Sequence, residues 1–257
     1  MRRLLPLFVL SPLVALTADA PAAEKDTRVY EMRTYYAASG KLDALHARMK
    51  DHALKLFEKH GVTSIGYFTP VDNKENKLVF FLAFPSKDAR EKAFKAFAAD
   101  EDWKKAVADS EKDGKLVEKM ESRLLTVTDY SPEFKLAQSN AARLFELRTY
   151  TATKNNLGNL NDRFKDHTIK LFEKHGMTNV VYWNVLKGEK DDDKLLIYLL
   201  SHKDKDAHAK SFDAFRKDPD WIAARKASEE KGGGSLTEPK GGVVSEFLTP
   251  TAYSPLK

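Results

Sequence analysis

The chain has 257 residues, of which 42% are hydrophobic, 32% charged and 11% aromatic; it can bury a sizeable core and is too aromatic to be disordered. Its 43 basic and 38 acidic residues leave a net charge of +5, and the signs alternate along the chain without a basic block, so we expect no nucleic acid partner. The absence of cysteine excludes disulfides, a thiol nucleophile and an N-terminal lipid anchor on cysteine.

The chain opens with Arg2 and Arg3, an apolar run from Leu4 to Leu16, and a small-residue segment ending in Ala20-Pro21-Ala22-Ala23. This is the pattern of a secretory signal peptide over residues 1–22, with cleavage after Ala22. The run is broken by Pro6 and Pro12 and is too short to span a bilayer, so a periplasmic or secreted protein with no permanent membrane anchor is expected.

Val29 to Tyr36 alternates and is rich in β-formers, which predicts a strand. From Leu42, the residues Leu45, Met49, Leu56 and Phe57 recur at helical spacing and Gly61 stops the pattern, predicting an amphipathic helix. Val62 to Phe68 and Leu78 to Phe84 flank the polar turn at residues 72–76 and read as a hairpin. Ser86 caps a helix carrying Phe94 and Phe97, a short helix follows from Trp103, and Arg123 to Asp129 forms the closing strand. The order is β-α-β-β-α-β over residues 28–131, the ferredoxin-like arrangement.

Residues 132–142 read as a polar linker, and residues 143–254 repeat the unit. The opening strand Val29-Tyr30-Glu31-Met32-Arg33-Thr34-Tyr35 returns as Leu144-Phe145-Glu146-Leu147-Arg148-Thr149-Tyr150, and Arg48 to Gly61 matches Arg163 to Gly176 at 11 of 14 positions. An offset of 117 aligns Lys77–Leu82 with Lys194–Leu199, and Trp103 returns as Trp221. The fold class expected is α+β: two tandem ferredoxin-like units whose sheets face each other and pair into one barrel, an intramolecular pseudo-dimer.

The opening strand, the helix ending in Leu-Phe-x-Lys-His-Gly, the aromatic strand pair and the late Asp-x-Asp-Trp together resemble the NIPSNAP family of the dimeric α+β barrel superfamily, in both units. The resemblance implies an eight-stranded barrel with room for a pocket between each sheet and its helices. It does not imply a reaction, since the superfamily includes small monooxygenases, haem-degrading enzymes and isomerases.

Strand alternation places Glu31, Arg33 and Tyr35 on one face, and Glu146, Arg148 and Tyr150 likewise. Each triplet either binds a polar ligand or pairs internally to fix how the sheets meet. At 100° per residue His52 falls on the stripe of Leu45, Met49 and Leu56, and His167 does the same in the second unit. An inward imidazole serves either as a base or ligand, or as a hydrogen-bonded core residue. Its expected partner is a strand residue, from the Glu-x-Arg-x-Tyr face or from Tyr67 and Tyr182. His60 and His175 suit helix C-termini, whereas His202 and His208 are expected to face solvent. With no His-x-x-x-His or cysteine cluster, no dedicated metal site is expected, and neither catalytic residues nor a cofactor can be named. Two functions stand: an exported module binding a small apolar or aromatic ligand or a protein, or a cofactor-independent monooxygenase or isomerase with His52 or His167 as base and Arg33 or Arg148 steadying an oxyanion.

Overall fold

The structure, a computed structural model, describes residues 26–134 and 143–257. The expected signal peptide, and residues 135–142 of the expected linker, lie outside the described residues. The first half runs β1 (Val29–Ala37), α1 (Leu42–Arg48), a π-helical turn (Met49–Ala53), α2 (Leu54–Lys59), β2 (Thr63–Pro70), β3 (Lys77–Phe84), α3 (Lys87–Ala99), α4 (Glu101–Ser110) and β4 (Val117–Val127). The second runs β5 (Leu144–Thr151), α5 (Leu157–Arg163), a π-helical turn (Phe164–Thr168), α6 (Ile169–Lys174), β6 (Thr178–Val185), β7 (Leu195–His202), α7 (Lys205–Lys217), α8 (Pro219–Lys231) and β8 (Val243–Pro250).

Local chemistry sets these boundaries. Ser86 caps α3 by accepting from Ala89 N at 3.1 Å, and Asp204 caps α7 by accepting from Ala207 N at 2.8 Å. Asp100 and Asp218 each end one helix and cap the next. Gly61 and Gly176 follow α2 and α6 at φ +75° and +77°, a conformation that disfavours any side chain.

The eight strands close into one antiparallel barrel in the order β1-β3-β2-β8-β5-β7-β6-β4. Each half supplies four neighbours, β4-β1-β3-β2 and β8-β5-β7-β6. The halves join at two short seams, β2 with β8 through Phe68–Pro70 and β4 with β6 through Leu125–Val127. An eight-stranded barrel is just wide enough to be filled by side chains. Here Tyr30, Phe68, Phe81, Phe145 and Trp183 fill it, with Phe81 stacked on Trp183 at 5.1 Å. The opposite strand faces pack against the helices around Phe57, Phe80 and Phe97 in one half and Phe164, Phe172 and Tyr198 in the other.

Each half clasps the other by its closing tyrosine and serine. Ser254 Oγ accepts from Tyr67 N at 2.9 Å, and Ser131 Oγ accepts from Tyr182 N at 3.0 Å. Tyr253 Oη lies 2.7 Å from His46 Nδ1, and Tyr130 Oη donates to Asn161 at 2.6 Å.

Two expectations are corrected by backbone geometry. First, the two π turns contain i to i+5 hydrogen bonds, from Leu54 N to Met49 O and from Ile169 N to Phe164 O. A π turn advances less than 100° per residue, so every later side chain is rotated back relative to an ideal helix. Ala53 and Thr168 take the inward positions, and His52 and His167 are exposed to solvent. Second, Arg33 pairs with Phe80 whereas Arg148 pairs with Tyr198, so β3 and β7 correspond at an offset of 118, not 117. β7 is buried on both faces and carries no alternation that would have fixed its register.

Candidate functional site

Glu31, Arg33 and Tyr35 project from β1 toward the helices, and Glu146, Arg148 and Tyr150 project likewise from β5. The structure brings each triplet together, as the period-two reading expects. In the first half Glu31 is fully buried and accepts from Arg33 Nε at 2.7 Å, from Arg90 Nε and Nη2 at 2.7 and 2.8 Å, and from Ser122 Oγ at 2.5 Å. Burial works against its ionisation, but Arg90, Arg33 and Ser122 outweigh it and hold the carboxyl below the usual carboxylate range. Arg33 sits 3.9 Å above the Phe94 ring. Both carboxylate oxygens are occupied by cations, and the cluster is closed.

The second half departs from this pattern. Arg148 and Ser245 both donate to Glu146 Oε1, while His202 Nε2 and His208 Nε2 lie 3.1 and 3.4 Å from Oε2. Burial opposes ionisation here too, but His202, Arg148 and Ser245 prevail and bring Glu146 to about 2. Arg148 donates further to Tyr198 Oη at 2.9 Å and Tyr150 Oη at 3.0 Å. Burial, joined by the neighbouring His202 and Arg148 and opposed by Glu146, lowers the His208 pKa, so its imidazole is neutral near pH 7.

The strand register shows what has changed. Phe84 pairs with Val29 at the step where His202 pairs with Leu144, and six residues beyond each lie Arg90 and His208. His202 therefore stands where the first half has Phe84, and His208 where it has Arg90. The expectation that both histidines face solvent is overturned. His202 is 4% exposed, because every residue of β7 is covered on both faces, and His208 is half-buried against Phe212 and Phe247.

Of the other expected site residues, Tyr67 stacks on Phe80 at 5.3 Å and Tyr182 on Tyr198 at 4.9 Å, both within the sheet–helix layer. His52 and His167 are exposed, and among the described residues neither makes the hydrogen bond to a strand residue that was expected, since the π turns carry both rings outward. His60 and His175 instead pair through Nε2 with Asp100 and Asp218, each at 2.7 Å.

An open groove of about 410 Å³ lies at the β2–β8 seam, with Val71, Val244 and Phe247 as apolar lining, Lys77 and Lys205 as cations, and Asp72 and Glu246 as carboxylates, Glu246 pairing with Lys77 at 3.3 Å. Ser245 and Phe247 form the wall shared with Glu146 and His208. At the opposite seam the equivalent position is bridged by ion pairs. The turn at residues 186–194 is three residues longer than its counterpart at 71–76, and from it Glu189 accepts from Lys87 at 2.6 Å while Asp191 reaches Arg123 at 3.6 Å. Lys205, the counterpart of Lys87, has no carboxylate partner among the described residues and lies 5.9 Å from the Phe247 ring.

The NIPSNAP family profile matches residues 30–132 and 145–255. The chain belongs to the NIPSNAP family. It also resembles a candidate monooxygenase of Fusobacterium nucleatum, 12% identical over 90% of this chain and 93% of that one, with a TM-score of 0.56. An anthrone oxidase-like protein is 14% identical over 90% of this chain and 95% of its own, also at 0.56. These two likenesses establish a shared fold. A NIPSNAP family protein of Agrobacterium tumefaciens is 27% identical over 41% of this chain and 92% of its own, with a TM-score of 0.37. No curated protein matches the chain.

In this NIPSNAP-family chain the first-half cluster can only hold structure, because both Glu31 oxygens are fully engaged by arginines. The second-half cluster has an ionised carboxylate oxygen facing two imidazoles, beside a groove that a small molecule can enter. Sequence reasoning missed His202, His208 and Ser245. The available signal was the pairing of the Glu strand with its neighbours, which aligns His202 with Phe84 once the register is right.

Proposed function

We propose that this chain is an exported NIPSNAP-family protein that pairs two ferredoxin-like units and keeps one working ligand site, in its second half. The observation that carries this reading is the difference between the seams: the groove beside Glu146 and His208 is open, whereas its counterpart beside Glu31 is bridged by the Lys87–Glu189 pair. The ligand that suits the groove is small and aromatic with an acidic group. Val71, Val244 and Phe247 offer an apolar wall, and Lys205, which has no carboxylate partner among the described residues, offers the cation, while Glu246 is held by Lys77.

Chemical-shift mapping with 4-hydroxybenzoate and related aromatic acids tests the reading. Perturbations should centre on Val71, Lys205 and residues 244–247. Shifts clustered in the first half, or none with any member of the panel, overturn it.

A second reading, oxidation or isomerisation of that ligand, draws on the neutral His208 beside the ionised Glu146 and on the likeness to proteins described as a candidate monooxygenase and as anthrone oxidase-like. The base in this reading is His208, in place of His52 or His167. Export rests on the Arg2-Arg3 start, the apolar run and the Ala22 cleavage pattern. N-terminal sequencing of protein from the cell envelope should begin near Ala23, and an intact leader there contradicts export.

A further inference from the structure

We propose that Glu146, His202 and His208 form a binding site for one divalent first-row transition ion, of the Zn(II) or Fe(II) class. The inference deepens the groove reading above, rests on it only for the positions left open to a ligand, and replaces the reading of His208 as a base, since coordination occupies the imidazole lone pair. The three side chains each offer a donor atom, all within 4.8 Å of one another. Zinc–nitrogen and zinc–oxygen bonds of about 2.0–2.2 Å place neighbouring donor atoms about 3.0–3.5 Å apart around the ion. The distances from Glu146 Oε2 to the two imidazole Nε2 atoms, 3.1 and 3.4 Å, fall in that window.

The supporting contacts are those a metal-binding carboxylate needs. Arg148 and Ser245 occupy Oε1 and orient the group, leaving Oε2 directed at the imidazoles. The two nitrogens and one oxygen suit a borderline ion, and three protein ligands leave at least one coordination position free.

The first half shows that neither the fold nor the carboxylate requires histidine here. Phe84 packs the strand position with no polar cost, and Arg90 satisfies Glu31 by two charged hydrogen bonds. Replacing these residues by His202 and His208 exchanges the two Arg90 hydrogen bonds for contacts of 3.1 and 3.4 Å; His202 Nδ1, with no hydrogen-bond partner among the described residues, is unpartnered with or without an ion. As a purely structural exchange it is a loss. As a ligand set it places two imidazoles and a carboxylate oxygen around one point. The Arg148 charge beside the site opposes a cation and weakens its affinity.

The test uses the mature chain stripped with chelator and titrated with Zn(II) by calorimetry and with Co(II) by visible absorption. Wild type should take up one equivalent and develop the d–d bands of a cobalt site with nitrogen ligands. H208R and the double variant H202F/H208R install the residues of the first half. They should keep the circular dichroism of the wild type, lose the bands, and bind at least about 100-fold more weakly, beyond the 10–100-fold typical of losing a supporting contact alone. Absence of saturable binding in wild type, or undiminished affinity in H208R, overturns the site. The aromatic-acid titration is run on the same metal-free chain: probe binding without metal binding leaves the groove reading standing and removes this one, and metal binding without probe binding does the reverse.

Discussion

Replacing Glu31 by Gln probes the closed first-half cluster. Removing one partner of a buried ion pair costs about 3–5 kcal/mol, because the other charge is left uncompensated. Gln retains one oxygen acceptor, and the Arg90 side chain, 22% exposed, can turn to water, which places E31Q near the lower end, about 3 kcal/mol. E146Q should cost less, about 2 kcal/mol in metal-free protein, because Arg148 keeps the hydroxyls of Tyr150 and Tyr198 as acceptors. The folded-state pKa of Glu31 lies below its ordinary value of 4.5, so its contribution is complete above that pH and is lost as the pH falls through the folded-state value. Urea denaturation followed by circular dichroism at pH 7 and at pH 4 and below should therefore show the gap between wild type and E31Q narrowing in acid. A loss under about 1 kcal/mol at pH 7, or a gap that stays constant with pH, would refute the reasoning.

Two further outcomes follow from the same geometry. Because His52 and His167 are exposed, H52A and H167A should each leave stability within about 0.5 kcal/mol of wild type in urea melts and should not change binding of the aromatic acids. S254A removes the acceptor for the buried Tyr67 N–H and the donor to Leu256 O, and should cost about 1–3 kcal/mol in the same assay.

How much of this was legible in the sequence depended on period and register. The alternation of Glu31, Arg33 and Tyr35 is a strand property and survives folding unchanged, and the pairing of two four-strand halves in one barrel followed from a duplicated pattern that leaves a sheet face to cover. The orientation of His52 was not legible. Arg48 to Gly61 contains no proline, glycine pair or other mark of a π turn, and an ideal 100° step carries the ring to the wrong side. The role of His202 was hidden for another reason. β7 is apolar on both faces, so a one-residue slip in its alignment with β3 costs nothing in pattern and yet exchanges inward for outward positions. The openness of one seam depended on where a three-residue insertion falls in space, placing Glu189 over Lys87 across the opposite seam. The Glu-x-Arg-Thr-Tyr pattern shared by both opening strands carries no sign of the difference, and the residues that distinguish the two clusters lie outside it.

Native mass spectrometry of the mature protein recovered from its own envelope fraction, as wild type and as V244R, examines the groove at the β2–β8 seam. Val244 is 52% exposed on the groove rim, so Arg can block entry without disturbing the core. Wild type should carry one small-molecule adduct per chain, and V244R, with an unchanged melting temperature, should carry none. Two adducts per wild-type chain, or an adduct retained by V244R, would contradict a single working site at the β2–β8 seam.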